Sequence, residues 1–382
     1  MSDLVDLTER LVAIPSHEDE TAAGDAIESW LRAETDARVE RDAVGNVLAY
    51  REPPGGSGRA GSETLALVGH HDVVPPAERQ TVGAGTDGEY VVERSDGRLR
   101  GRGTADMKGS LAACLLAFRD ATPPPGRTLA VASFAGEEEG GTGARHAIAE
   151  GFAPDRAVVA EGSTGYSAPG VTDVAVAHKG RRASTLVASG TAAHASEPEA
   201  GENAVYRASD AIDVVRDLDA PSATVFGESV TGSLAVTIVE GGETWNVIPE
   251  RCAVTIDERT VPDDRADLGR VEAAVTGVEW TVDQDLPPMA CEDADFADAA
   301  LSVAREVHEA GGRGSADRDP GAPEHVVKPH ATDAGWLAEA GTACLVCGAA
   351  EPGEAHTDTE SVGIDVLERC RRIYRGICER EA

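Results

Sequence analysis

The feature that most restricts this chain is a set of short apolar runs, residues 65–68, 128–135, 157–160 and 343–346, each ending within about ten positions of a histidine or carboxylate. Runs so short, with so few polar interruptions, read as strands buried on both faces, as in a parallel sheet covered by helices. Helices are expected over 108–120, halted by Pro123-Pro124-Pro125, and over 143–150. This alternation predicts an α/β domain with a mostly parallel sheet. Acidic helices open the chain, with Ser16 or Asp19 as N-cap before 20–33, and a Gly/Pro-rich loop follows at 53–62.

Five potential metal ligands stand at or beyond the strand ends: His70, Asp106, Glu138, Glu161 and His356. In open α/β sheets ligands bind outside the C-terminal strand ends. Imidazoles and carboxylates converging there are what a two-metal hydrolytic centre requires. Such mixed donors suit Zn²⁺ and accept Co²⁺ or Mn²⁺. Asp106 lies in the Gly-flanked turn Gly101-Arg102-Gly103-Thr104-Ala105-Asp106-Met107-Lys108-Gly109, where a carboxylate can face two ions, and is assigned as the bridge. Its competing role is an N-cap for the following helix. Asp72, two residues after His70, is placed to accept the ring's second N–H and fix its tautomer. His71 points the opposite way by strand alternation and is excluded as a ligand.

The triplet Glu137-Glu138-Glu139 ends a strand and precedes Gly140-Gly141-Thr142-Gly143. Three acids would repel a pyrophosphate, so the glycines are not read as a nucleotide loop. Adjacent carboxylates divide labour instead: one on metal, the next free to take a proton from the attacking water.

Between 178 and 284 the pattern changes. Strands are expected at 183–189, 233–239, 252–257 and 278–282, with helices at 203–218 and 263–275. This β-α-β-β-α-β order is the ferredoxin-like arrangement. None of the five ligands falls in it. Residues 1–177 and 285–382 are therefore expected to form the metal domain, with helical returns at 293–310 and 365–380, and 178–284 an inserted lid or dimerisation domain.

Of 34 basic residues only Lys108, Lys179 and Lys328 are lysine, and the net charge is -34. Acid spread along the whole chain points to concentrated salt, where the Debye length is about 3 Å and acidic groups repel one another little. Docking on a basic partner is the alternative. The charge excludes nucleic acid, whose phosphates need a basic surface. No apolar run approaches the ~20 residues of a membrane span, and the acidic start is unlike a signal peptide, so a cytoplasmic protein is expected. The seven cysteines, including Cys344 and Cys347 in CxxC spacing, read as small core residues, with a metal or redox pair as the alternative for the CxxC.

In this order the motifs resemble the M20 family of metallopeptidases and deacylases, the group of acetylornithine deacetylase, succinyl-diaminopimelate desuccinylase, aminoacylase and carboxypeptidase G, over almost the full length. The resemblance implies His70 and Glu161 on one metal, Glu138 and His356 on the other, Asp106 between them, and Glu137 as general base. Gly190-Thr191-Ala192-Ala193-His194-Ala195-Ser196 resembles the lid motif whose histidine reaches a neighbouring subunit's active site, which implies a homodimer. Gly241-Gly242 with Asn246-Val247-Ile248-Pro249, and Asp257-Glu258-Arg259, resemble further lid motifs. They imply Asn246 and Arg259, joined by Arg181, as holders of a substrate carboxylate or oxyanion. Thr332-Asp333-Ala334 resembles the late substrate-pocket turn, which brings in Thr332.

Three positions depart from the pattern: Gly136 replaces an aspartate, Ala334-Gly335-Trp336 replaces a Gly-Arg, and Pro352 replaces an asparagine. The implied activity is metal-dependent removal of the acyl group from a small N-acyl amino acid. A carboxypeptidase or dipeptidase, and a non-catalytic amino-acid-binding homologue, are the competing readings.

Overall fold

The computed structural model describes residues 2–53, 63–82, 89–311 and 321–381, and the chain divides into two compact units. The first comprises Met1–Ala177, Ala290–Lys328 and Thr332–Ala382. At its centre four strands run parallel in the spatial order Arg127–Phe134, Glu63–His70, Arg156–Val159, Ala343–Val346. Every residue of Arg127–Phe134 is buried, and the other three strands are buried along most of their length. Burial on both faces explains why these runs show no polar alternation. Antiparallel strands flank this core: the hairpin Arg38–Arg41 and Val47–Arg51 on one side, Val174–His178 on the other. The fold is α/β, and its sheet is parallel where the ligand candidates emerge.

Helix Lys108–Asp120 is buried at every position from Lys108 to Phe118. It packs against strand Glu63–His70 and against helices Ser2–Val12 and Ile364–Glu379. Its approach is close enough that a Cβ on Gly109 would lie 2.4 Å from the Thr104 carbonyl oxygen, which only glycine avoids. The turn carrying Asp106 is thereby held tightly against the helix start. The helix N-cap is Met107, so Asp106 is not the cap.

Several local expectations need correction. Ser16 does not cap the second helix, Thr21–Glu34; its hydroxyl donates to the His71 carbonyl oxygen at 2.7 Å, and Asp19 Oδ1 accepts the Thr21 N–H at 2.9 Å instead. The helix expected over 263–275 is only Gly269–Ala274. Asp263 sits at φ 61°, and Val261 and Asp264 pair as a β-bridge, so the segment before Leu268 turns rather than winds. Most of the 53–62 loop lies outside the described residues.

The second unit, His178–Met289 with Pro329–Ala331, carries an antiparallel four-stranded sheet. Its spatial order is Ser233–Gly241, Arg251–Arg259, Arg181–Ser189, Val278–Leu286, the ferredoxin-like arrangement. Arg181–Ser189 alternates partly buried and buried residues, placing Leu186 and Ala188 in a core with Val254, Ile256, Ala208 and Val215. Helix Ala204–Arg216, capped by Asn203 through the Val205 N–H, covers this core. A hairpin, Ser222–Val225 with Glu228–Thr231, is an addition that sequence periodicity did not reveal. No helix among the described residues is long and apolar enough to cross a membrane.

Candidate metal centre

The C-terminal edge of the parallel strands gathers the donors. His70 is the last residue of Glu63–His70, Glu137 and Glu138 follow Arg127–Phe134, and Glu161 follows Arg156–Val159. Asp106 comes from the turn before the buried helix, and His356 from the loop after Ala343–Val346. Asp106 faces both histidines, Oδ1 3.2 Å from His70 Nε2 and Oδ2 2.9 Å from His356 Nε2. Glu161 Oε1 lies 3.2 Å from His70 Nε2, and Glu138 Oε1 lies 2.9 Å from His356 Nε2. Glu137 offers an oxygen within 4.8 Å of the His70 and Glu161 donors.

This arrangement fits two divalent ions. Donors about 2.0–2.1 Å from a tetrahedral Zn²⁺ lie roughly 3.3 Å from one another, close to the separations seen here. His70 is also oriented from behind: its Nδ1–H donates to the Asp72 carbonyl oxygen at 3.1 Å, and Asp72 Oδ1 stands 3.2 Å away in poorer alignment. That leaves Nε2 for the centre. Asp72 Oδ2 accepts the Glu138 N–H at 2.9 Å, tying the acidic loop to the same carboxylate. His71 turns away, with Nδ1 2.8 Å from the Ser133 hydroxyl, and burial drives its pKa down to about 3.

Burial opposes the charged form of His70, yet Asp72, Asp106 and Glu161 raise its pKa well above the usual value. Hydrogen bonds to Asp106 and Glu138 lift His356 to about 10. Burial favours the protonated form of Asp106, but the two imidazoles outweigh it and hold the carboxyl well below the usual range. Glu137 goes the other way: burial, with Asp333, Glu161 and Glu138 nearby, raises it well above the usual carboxylate value. Glu137 thus holds a proton more readily than an ordinary glutamate does.

Backbone geometry explains two sequence observations. Gly136 sits at φ 63°, a left-handed position open to glycine and, less readily, to aspartate, so the Gly-for-Asp departure leaves the turn intact. A Cβ at Gly143 would lie 2.3 Å from both the Ala135 carbonyl and Asn46 Oδ1, so the residue after the acidic loop must be glycine. His356 itself sits at φ 62°, a costly conformation for a non-glycine residue and of a kind concentrated at functional sites.

Sequence reasoning missed the supports. Glu360 is buried; its Oε1 accepts the N–H groups of Ala105 and Asp106 at 2.9 and 3.1 Å, and its Oε2 accepts from Arg102 at 2.5 Å. It therefore fastens the Asp106 turn to the His356 loop, and its place four residues after His356 was the available signal. Lys328 donates to Glu161 Oε2 at 3.2 Å. Asp333, buried and raised to about 7 by that burial, lies among the same charges.

Thr332 accepts the Ala334 N–H at 3.2 Å as the N-cap of helix Asp333–Glu339. The remaining candidates lie in the second unit. Arg181 and Arg259 converge on Asp257, one on each oxygen, at 2.6 and 2.8 Å. His194 is exposed, and its Nδ1 meets the Ser196 N–H at 3.2 Å and the Ser196 hydroxyl at 2.7 Å. Asn246 is partly exposed, and its carbonyl oxygen accepts the Ala195 N–H at 2.9 Å beside that histidine. All seven cysteines are buried and unpaired, and burial raises the Cys344 and Cys347 thiols well above their usual value.

A family model described as Peptidase family M20/M25/M40 matches residues 66–380. The chain is 30% identical over 353 residues to an acetylornithine deacetylase of Myxococcus xanthus, covering 88% of this chain and 83% of that one. It is 29% identical over 398 residues to a succinyl-diaminopimelate desuccinylase of Stenotrophomonas maltophilia (strain R551-3), covering 100% and 99%. A Bacillus subtilis protein, YXEP, described as a dinuclear metal binding peptidase, shares the fold with a TM-score of 0.69 at 14% identity, over 99% of this chain and 97% of that one.

Proposed function

The chain belongs to peptidase family M20/M25/M40, and from that premise we propose that it hydrolyses the amide bond of an N-acyl amino acid, releasing the acyl group and the free amino acid. The observation that carries this reading is the sharing of Asp106 between His70 and His356, at 3.2 and 2.9 Å. On this reading His70 and Glu161 hold one divalent ion, Glu138 and His356 the other, and Asp106 both. Zn²⁺ suits these donors best, with Co²⁺ or Mn²⁺ as competent substitutes. When bound, the ions supply Lewis acidity and make water acidic enough to ionise near neutral pH.

The side chains do the rest. Glu137, with its raised proton affinity, takes a proton from the attacking water and returns it to the departing amine nitrogen. Asp72 keeps His70 in the required tautomer. His194 donates Nε2–H to the carbonyl oxygen as negative charge builds there. Arg181 and Arg259, pre-positioned by Asp257, hold the substrate carboxylate, with Asn246 and Thr332 as further polar contacts.

The second unit acts as lid and dimerisation unit in this scheme, with His194 serving a neighbouring subunit. Its edge strand Ser233–Gly241 supports a homodimer: Ile238 and Val239 are half-exposed there, and Trp245 just beyond is 96% exposed. Apolar strand edges of this kind are normally covered. A sedimentation profile that stays monomeric at every concentration rules the dimer out. The charge of -34 with only three lysines supports work in the concentrated salt of a halophile's cytoplasm.

The test is metal analysis combined with a panel of N-acetylornithine, N-succinyl-diaminopimelate, N-acetyl amino acids and dipeptides. Two ions per chain with turnover of an acyl amino acid is the expected result. Cleavage of dipeptides alone makes the protein a peptidase. No bound divalent ion, and no turnover after addition of Zn²⁺ or Co²⁺, defeats the reading.

A further inference from the structure

Lysine is nearly absent from this chain, yet one of its three lysines is buried against the candidate metal centre. Lys328 ends strand His325–Lys328 and is 6% exposed. Its Nζ donates to Glu161 Oε2 at 3.2 Å and to the Gly162 carbonyl oxygen at 3.1 Å. The other oxygen of Glu161 faces His70 Nε2 at 3.2 Å. Glu161 is therefore held with one oxygen toward the centre and one on an ammonium group.

The other half of the site is built differently. Glu138 meets His356 through Oε1, and no described ammonium or guanidinium group forms an ion pair with it. Lys108 is also buried nearby, but its Nζ donates to the Ile14 carbonyl oxygen at 2.7 Å and to no carboxylate. Among the described residues Lys328 is thus the basic side chain, other than histidine, that pairs directly with a candidate ligand carboxylate.

Resting on the two-ion reading above, we propose that Lys328 is a built-in counter-cation. It keeps Glu161 a one-oxygen donor and weakens the His70–Glu161 position for a divalent ion. Two effects act in the same direction. The ammonium occupies the oxygen that would otherwise let Glu161 chelate, and its positive charge repels a cation placed on the other oxygen. A unit charge within about 4–6 Å moves the pKa of a neighbouring carboxyl by roughly one to three units in proteins, and a cation on the same carboxylate feels the same field. Lys328 also stabilises the metal-free chain, where an unpaired buried carboxylate oxygen would be costly. It is a positioning residue, acting through Glu161.

The experiment titrates metal-free wild type, Lys328→Met and Lys328→Gln with Co²⁺ against a competing chelator, and records the visible Co²⁺ spectrum. Glutamine retains hydrogen-bond donors but no charge, and carries the test if the methionine variant fails to fold. One of the two dissociation constants is expected to tighten by about tenfold or more in the variants, while the other changes by less than about threefold. The d–d absorption should lose intensity as Glu161 becomes a two-oxygen donor and the coordination number rises. The metal-free variants should melt below metal-free wild type. If neither constant tightens, the proposal is overturned. Wild type binding fewer than two ions instead defeats the two-ion reading, and this proposal with it.

Discussion

Loading the centre should release protons, and their number follows from the contacts. Metal-free His356 titrates near 10 and His70 well above the ordinary imidazole value, so at pH 7.5 both rings are charged. A metal ion needs the neutral ring, so each imidazole must give up a proton. At least two protons, one from each imidazole, should therefore leave per pair of ions, and the overall binding constant should fall at least about 100-fold per pH unit on acidification. The slope should hold from about pH 6.5 upward and fade as each ring reaches its own titration point. His356 is half-exposed, so solvent screens its partners, and its share should end earlier than that of buried His70. Calorimetric titration with Zn²⁺ in buffers of different ionisation enthalpy counts the protons directly. Release of fewer than one proton per two ions would refute the assignment of the two imidazoles to the centre. Stability gives a second readout. Both rings are held above their unfolded value, so their stabilisation of the metal-free fold is complete below about pH 6.5 and disappears as pH rises through the folded values. The gap in Tm between loaded and metal-free protein should widen between pH 6.5 and 9.

Glu137→Ala should keep both ions by elemental analysis while kcat falls about 10²–10⁴-fold, the usual scale for a lost acid–base group; loss of metal would remove the division of roles between Glu137 and Glu138. Asp106→Ala should drop the metal content below one ion per chain, because both positions share that carboxylate; a retained pair would show that Asp106 does not bridge. Arg102→Met leaves the buried Glu360 carboxylate without its charge partner and should cost about 3–5 kcal/mol in denaturant unfolding, against near zero for a surface pair. Raising KCl from 0.1 to 3 M should raise Tm, since screening relieves repulsion among the acids; a Tm independent of salt would contradict the reading of the charge.

Much of the fold was legible because unbroken apolar runs and glycine-flanked acids are local signals. Residues 65–68 and 128–135 read as buried strands, and the structure makes them parallel neighbours. The turn around Asp106 announced itself through Gly101, Gly103 and Gly109. What stayed hidden depends on distant partners. Lys328 meets Glu161 across 167 positions and Arg102 meets Glu360 across 258, and no window of sequence contains either pair. The hairpin Arg38–Arg41 with Val47–Arg51 was missed because its first strand, Arg-Val-Glu-Arg, presents one buried valine among charges. The helix expected over 263–275 begins only at Gly269, because Asp263 is left-handed and Asp264 pairs with Val261, so the segment that follows turns first.

Salt separates the two kinds of electrostatics in this chain. The net charge of -34 creates a long-range field that concentrates cations at low ionic strength. In molar salt the Debye length shrinks to about 3 Å, and that field contributes little. The contacts within the centre span 2.9–3.2 Å, and those of Asp106, Glu161 and Lys328 around His70 are shielded from solvent, so they should persist, while those of half-exposed His356 are screened more. Metal affinity should therefore weaken between 0.1 and 3 M KCl while the proton count and the effect of Lys328→Met remain. If all three decline together, the surface field, not the local donor set, governs binding. Selectivity for a divalent ion over abundant K⁺ must then be sought outside the geometry around Asp106.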